Sequence, residues 1–183
     1  DAIRWIFPRV SIIIVTYNSL HVTMACIDSV FRNTSWPNFE VIIVDNNSTD
    51  GTIDYLEQLV ASTKGQVKLI KNPTNKGFAA AVNQGLRLAT GKYLVILNND
   101  VIVTRGWLGR LIRYMEKDSS IGLVGPVTNS IGNEAKINVS YETLSEMEEL
   151  ADERAWKYEG VCFDIEVLAL FCTAIRREVI DKI

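Results

Sequence analysis

Apolar residues in this chain fall in short continuous runs separated by stretches where they recur at helical spacing. Arg9–Thr16 holds Val10-Ser11-Ile12-Ile13-Ile14-Val15, β-branched and nearly all apolar, which predicts a first strand buried on both faces. Phe39–Val44 repeats that pattern, Gln66–Ile70 repeats it more weakly, and Tyr93–Leu97 gives the central strand, with a further short run at Ile121–Val124. Between the runs lie amphipathic segments. Val22, Ala25, Cys26, Ser29 and Val30 mark a first helix, with Asn18 or Ser19 as its N-cap. Ile53, Leu56 and Val60 mark a second, and Phe78, Val82, Leu86 and Ala89 a third, capped by Asn75 and stopped by Gly91 as a C′ glycine. Trp107, Leu108, Leu111, Ile112 and Met115 mark a fourth. Regular strand–helix alternation with short loops predicts an α/β fold with a mostly parallel sheet and helices on both faces.

Beyond Pro126 the regularity fails. Val127–Val139, rich in Asn, Gly and Ser, reads as a loop, and Tyr141–Tyr158 as a solvated acidic helix. Val161–Ile175 is apolar enough to rejoin the sheet, and Arg176–Ile183 begins a helix.

The polar residues are most informative where strands end. Tyr93–Val103 runs apolar, breaks into Asn98-Asn99-Asp100, and turns apolar again, a placement that burial alone does not motivate. The first strand likewise ends in Thr16-Tyr17-Asn18 and the second in Asp45-Asn46-Asn47. Right-handed crossovers put all strand-to-helix loops on one sheet edge, so these three clusters should converge where open α/β sheets bind ligands.

Composition narrows the classes. At 183 residues, with 48% hydrophobic and 22% charged, the chain has the size and make-up of one globular domain. A net charge of −3 argues against a dedicated nucleic-acid binder. Cys26, Cys162 and Cys172 form no metal spacing and read as reduced thiols of a cytoplasmic protein, at most peripheral to a membrane, with Cys26 in the core. His21 is the single histidine, which removes multi-histidine metal sites, and its position near a helix start reads as structural. No run reaches the about 20 apolar residues of a membrane span, and Asp1–Pro8 lacks the pattern of a signal peptide.

Neither a P-loop nor a Gly-x-Gly-x-x-Gly turn follows the first strand, which disfavours a P-loop hydrolase and a standard dinucleotide dehydrogenase. What remains is Asp45 and Asp100 among amides and hydroxyls. Asp100 with Asn98 or Asn99 offers hard oxygens suited to Mg²⁺ or Mn²⁺ shared with substrate phosphates. Asp45 can accept hydrogen bonds from a base or ribose, the Tyr17 ring can pack on a base, and Lys76 with the helix start at Gly77 can meet phosphate. Each also has a plainer reading: Asx turns at 45–48 and 98–100, a solvated Lys76, and close packing at Gly77.

The residues resemble family 2 glycosyltransferases with the GT-A fold. Val10–Asn18 is similar to their opening strand, and Val41–Thr52 (Val-Ile-Ile-Val-Asp-Asn-Asn-Ser-Thr-Asp-Gly-Thr) to their second-strand motif. Asn75–Gly85 is similar to their third helix, and Leu97-Asn98-Asn99-Asp100 stands where they carry an Asp-x-Asp metal motif. The resemblance implies a Rossmann-like GT-A domain that moves a sugar from a nucleotide diphosphate sugar to a hydroxyl of a glycan or lipid-linked acceptor, with inversion and a Mg²⁺ or Mn²⁺ ion. It assigns Thr16, Tyr17, Asn18, Asp45, Asn47, Lys76, Gly77, Asn83, Asn98 and Asn99 to the nucleotide sugar and Asp100 to the metal. Two departures stand out. Asn98 replaces the first Asp of the metal motif, leaving one carboxylate. The family's general base, in a segment resembling Gly-x-x-Asp-Glu, would follow Ile183, so the expectation is a donor-binding fragment of a longer chain without its own base. Nothing in the spacing of Asp164 and Glu166 recommends them for that role. A sugar-nucleotide-making nucleotidyltransferase would need a glycine-rich loop where Tyr17–His21 stands, and a non-catalytic nucleotide-sugar-binding module is the other alternative.

Overall fold

Side chains on a strand alternate between faces, so a strand without a polar phase must be covered on both sides. The computed structural model, which describes residues 6–183, shows how this is met. The reading of Asp1–Pro8 falls largely on residues 1–5, outside the described residues. The elements are β1 (Val10–Thr16), α1 (Leu20–Asn33), β2 (Phe39–Asp45), α2 (Thr52–Ser62), β3 (Val67–Lys71), α3 (Phe78–Leu88), β4 (Tyr93–Asn98), α4 (Trp107–Lys117), β5 (Leu123–Val124), α5 (Leu144–Lys157), β6 (Cys172–Arg176) and α6 (Arg177–Ile180). The sheet order is β3-β2-β1-β4-β6-β5. The first four strands of that order run parallel, and β6 lies antiparallel to both β4 and β5.

The larger core lies on one face. Ile12 and Ile14, Val41 and Ile43, and Val95 and Leu97 meet Cys26, Ile27 and Val30 of α1, Leu56 of α2 and the apolar side of α4. On the other face Val15, Val44 and Ile96 meet Ala81 and Val82 of α3, while Ile13, Ile42 and Leu94 meet Ala89. A Cβ on Gly85 would come within 2.5 Å of Ile13, so α3 sits close to the sheet there. Among the described residues no helix is long and apolar enough to cross a membrane.

Several local readings need correction. The inner face of α1 is Thr23, Cys26, Ile27, Ser29, Val30 and Asn33, whereas Val22 and Ala25 are exposed. The polar members of that face are satisfied: Ser29 Oγ donates to the Cys26 carbonyl, and Asn33 Nδ2 to that of Val103. Phe78 is likewise exposed, and α3 turns Ala81, Val82 and Gly85 inward. Gly91 is not a left-handed cap, since α3 ends at Ala89 in extended conformation. It is glycine because a Cβ there would lie 2.6 Å from the Ser11 amide nitrogen.

The region after Pro126 rejoins the sheet only at β6. The loop read over Val127–Val139 carries a Thr128–Lys136 bridge. The acidic helix α5 buries no residue, as its charge pattern predicts, and Thr143 Oγ1 caps it by accepting the Glu146 N–H at 3.2 Å. It is nevertheless tethered. Asn33 Nδ2 donates to Glu148 Oε1 at 2.8 Å, and Arg105 pairs with Asp152 at 2.6 Å.

Candidate functional site

Parallel pairing fixes the site. Thr16 stands opposite Asp45 and Val15 opposite Asn98, so β1, β2 and β4 end together at one edge. With strands about 4.8 Å apart, the ends of β2 and β4 flank β1 at roughly 10 Å from each other. The three polar clusters therefore share an edge.

Asp45 is fully buried. Its Oδ2 accepts the backbone N–H groups of Asn47 (3.0 Å) and Ser48 (2.9 Å), forming the Asx turn that its sequence suggests. Its Oδ1 is buried and has no hydrogen-bond partner among the described residues, and the same holds for Asn98 Oδ1. An unpaired buried acceptor costs about 1–3 kcal/mol, so two at one edge call for an explanation.

The surrounding loops are braced against each other. Asn18 N–H donates to Ser48 Oγ at 2.7 Å, and Asn18 Oδ1 accepts the Thr49 N–H at 2.8 Å. Asp50 Oδ2 accepts the Leu20 N–H at 2.9 Å. Ser19 is the N-cap residue of α1 but makes no side-chain cap bond, and Asp50 supplies one from outside the helix. Hydrogen bonds from Thr52, against a smaller opposing effect of desolvation, hold the Asp50 carboxyl below its ordinary range. Asn18, Ser19 and Asn47 all have positive φ, three of the four such non-glycine residues described. Backbone held this way concentrates where a site needs rigid loops.

The residues singled out in the sequence divide by what already occupies them. Thr16 is fully buried, and its hydroxyl lies 3.4 Å from that of Thr23, beneath α1. Asn99 Nδ2 donates to Thr23 Oγ1 at 2.9 Å, so Thr16, Thr23 and Asn99 tie β1, α1 and the end of β4 together. Tyr17 is half exposed at the edge, and Asn47, Lys76 and Asp100 are exposed, with no side-chain hydrogen bond among the described residues. Gly77 adopts φ 80°, and nothing lies within 4 Å of a Cβ built there. Its freedom serves an unusual backbone beside open space, and tight packing is not the reason for it. Asn83 is exposed on α3 without a side-chain partner, whereas its neighbour Gln84 reaches the edge through Asn72. His21 is exposed, as are Asp164 and Glu166 in the loop before β6. Cys26 and Cys172 are buried, and burial pushes both thiols up to about 12; Cys162 is exposed.

In the sequence Asn46 stands only as a member of the Asp45-Asn46-Asn47 cluster, Asn72 and Gln84 carry no mark of a site, and only the fold brings the three amides together. The one available sign was an amide following Asp45 inside a strand-end cluster.

Among the described residues no group of three or more His, Cys, Asp or Glu is placed to hold a metal ion. A cation at Asp100 would therefore draw most of its coordination from a ligand's own oxygens and water, which is how Mg²⁺ is usually held. An exposed carboxylate free of internal hydrogen bonds fits that arrangement.

A sequence profile described as "Glycosyl transferase family 2" matches residues 11–183. An uncharacterized glycosyltransferase of Haemophilus influenzae is 33% identical over 118 residues, covering 64% of this chain and 36% of its own length. A PGL/p-HBAD biosynthesis glycosyltransferase of Mycobacterium bovis is 41% identical over 93 residues, covering 51% of this chain and 36% of its own. The chain thus spans little more than a third of these relatives' length. Among solved structures, the mannosyltransferase PcManGT of Pyrobaculum calidifontis, in complex with GDP-Man and Mn²⁺, aligns at TM-score 0.72 with 23% identity over 96% of this chain and 46% of its own. The S. aureus protein TarS, residues 1–349, in complex with UDP-GlcNAc, aligns at TM-score 0.54 with 26% identity over 60% of this chain and 31% of its own. The profile match across the whole described sheet, on a fold shared with GT-A glycosyltransferases, shows that this chain belongs to glycosyl transferase family 2.

Proposed function

We propose that the chain is a single nucleotide-sugar-binding domain whose β1–β2–β4 edge holds a nucleotide diphosphate sugar for inverting transfer to an acceptor hydroxyl on a glycan or lipid-linked molecule. The observation that carries this reading is the buried, partnerless Asp45 Oδ1 at the edge where the strand ends meet. A base N–H or a ribose hydroxyl supplies the donor it lacks, and Asn98 Oδ1 takes a second hydroxyl. Tyr17, exposed beside them, packs on the base. Lys76, with no side-chain partner among the described residues, faces phosphate, Asn18 and Asn99 hold the loops that shape the pocket, and Asn47, exposed after Asp45, lines it. Thr16 supports the edge from beneath.

Asp100 holds a Mg²⁺ or Mn²⁺ ion, which when bound offsets negative charge on the diphosphate leaving group. With one carboxylate at the motif, cation affinity depends on the nucleotide being present.

Calorimetric titration with UDP, GDP and dTDP, with and without Mn²⁺, tests the reading. Binding that strengthens with Mn²⁺ and is lost in Asp45→Ala is the expected outcome. A folded protein that binds no nucleoside diphosphate removes it. Release of nucleoside diphosphate from a sugar donor, abolished by Asp100→Ala, separates an enzyme from a module that only binds.

A further inference from the structure

Between β3 and α3 the chain crosses the site edge as Asn72-Pro73-Thr74-Asn75-Lys76-Gly77, and residues 73–77 are all exposed. Within this loop the Gly77 N–H donates to Asn75 Oδ1 at 2.8 Å, a local turn that shapes the loop without fixing where it sits. What fixes it is a chain of three amides. Asn46 Nδ2 donates to the Gly77 carbonyl at 3.2 Å, and Asn46 Oδ1 accepts the Lys76 N–H at 3.4 Å. Asn72 Nδ2 donates both to Asn46 Oδ1 and to Gln84 Oε1, each at 2.9 Å, and Gln84 Nε2 returns a bond to Asn72 Oδ1 at 2.9 Å. Asn46 and Asn72 are 2% and 5% exposed.

The brace stands on the sheet itself. Asn46 N–H donates to the Thr16 carbonyl at 2.8 Å, and Asn72 N–H to the Asp45 carbonyl at 2.9 Å. The residue that clips the loop therefore follows Asp45 directly, and Asn72 is anchored on the Asp45 carbonyl. Docking α3 does not require these bonds, because Ala81, Val82 and Ala89 already pack on the sheet. An amide can both donate and accept, so each member passes position to the next.

We propose that Asn46, Asn72 and Gln84 form an amide brace that holds the Lys76–Gly77 loop at a set position over Asp45, making Asn72 and Gln84 positioning residues for the phosphate end of the nucleotide, an inference that rests on the nucleotide-sugar reading above. Gln84→Leu keeps the bulk and deletes the paired amide. Gln84→Glu keeps the acceptor for Asn72 Nδ2 and loses the returning bond. Thr90→Val, which deletes one hydroxyl bond to Glu40 at the opposite end of the sheet, is the matched control.

Two readouts decide it. In the ligand-free full-length protein, hydrogen exchange at the Lys76 amide is expected to accelerate on the order of tenfold in Gln84→Leu, and less in Gln84→Glu. The Kd for UDP or GDP with Mn²⁺ is expected to weaken roughly five- to tenfold in the first variant and about half as much, on a logarithmic scale, in the second. Thr90→Val should leave both readouts at wild-type values. Wild-type exchange and Kd in Gln84→Leu, or equal changes in Thr90→Val, overturn the brace. If Gln84→Leu fails to fold, Gln84→Glu decides alone by the same criterion. A wild-type protein silent toward every nucleoside diphosphate overturns the nucleotide reading and, with it, the positioning role.

Discussion

Strand β2 carries two fully buried carboxylates, one at each end of the sheet, and they are treated in opposite ways. Glu40, near the amino end, accepts from Ser11 Oγ (2.7 Å), Thr90 Oγ1 (2.7 Å), the Thr90 N–H (2.9 Å), Arg9 (3.0 Å) and Lys68 (2.8 Å). Both its oxygens are engaged. Asp45, at the carboxyl end, has one oxygen held by two backbone N–H groups and the other by nothing described. Both side chains are buried, and the donors around them differ. A carboxylate saturated from within serves the fold, and on the proposed reading the half-paired Asp45 takes its remaining donor from a ligand.

The sharpest way to break this contrast is to remove each carboxylate in turn. Glu40→Ala leaves Ser11, Thr90 and two cations without their shared acceptor. It should lower unfolding free energy by about 3–5 kcal/mol in denaturant titration, toward the lower figure if Arg9 and Lys68 swing to water. The same group predicts a pH signature. Burial pushes the Glu40 carboxyl up, but bonds from Arg9, Lys68, Ser11 and Thr90 outweigh it and hold the group well below its ordinary 4.5. A carboxyl depressed in the folded state adds stability that is complete above that ordinary value and is lost as pH falls below it. Wild-type stability should therefore drop more steeply below pH 4.5 than that of Glu40→Ala. Parallel slopes would mean that the Glu40 cluster holds no special charge.

At the other end the expected losses exchange places. Asp45→Asn keeps an oxygen for the Asn47 and Ser48 amides and puts an N–H₂ where the partnerless oxygen was. Unfolding free energy should move by less than about 1 kcal/mol, while nucleoside diphosphate affinity falls roughly 10- to 100-fold, the worth of a hydrogen bond to a charged group. A large stability loss with unchanged affinity would show that Asp45 is as structural as Glu40.

How much of this could be read in advance follows from the same physics. The four parallel strands were legible because burial on both faces leaves continuous apolar runs, and parallel order then forced their polar ends onto one edge. On α1 the positions Cys26, Ser29 and Val30 are buried as read, but Val22 and Ala25 are exposed, because Thr23 and Asn33, polar residues whose partners lie elsewhere in the chain, take their places on the buried side. Strand β6 was hidden inside a longer apolar stretch, since an antiparallel return leaves no crossover helix to announce it. Within the site, Asp45 and Asn98 stood out as polar groups ending apolar runs. Sequence does not show that the Asn18 and Asn99 side chains are already occupied by Thr49 and Thr23, 31 and 76 residues away. Asn83 was chosen over Gln84 because one residue along a helix is about 100° of rotation, which a motif does not resolve.

The smallest expected effects sharpen the comparison furthest, because single hydroxyls can be matched across the sheet. Ser11 Oγ serves the saturated end, donating to Glu40 and accepting the Gly91 N–H at 2.8 Å. Ser48 Oγ serves the other, accepting the Asn18 N–H at 2.7 Å and so holding the loop that presents Tyr17. Ser11→Ala removes a hydroxyl bonded to a carboxylate and to two backbone N–H groups and should lower unfolding free energy by about 1.5–3 kcal/mol, whereas Ser48→Ala removes one neutral bond, worth about 1 kcal/mol. On the proposed reading only Ser48→Ala loosens a residue that meets the nucleotide, so it alone should also weaken nucleotide binding, by roughly two- to fivefold. The larger stability loss in Ser11→Ala with the binding loss confined to Ser48→Ala would place the division of labour in the two ends of the sheet. If Ser11→Ala weakened binding as much, the sheet would be transmitting strain along β1, and the separation between its structural and ligand-facing ends would fail.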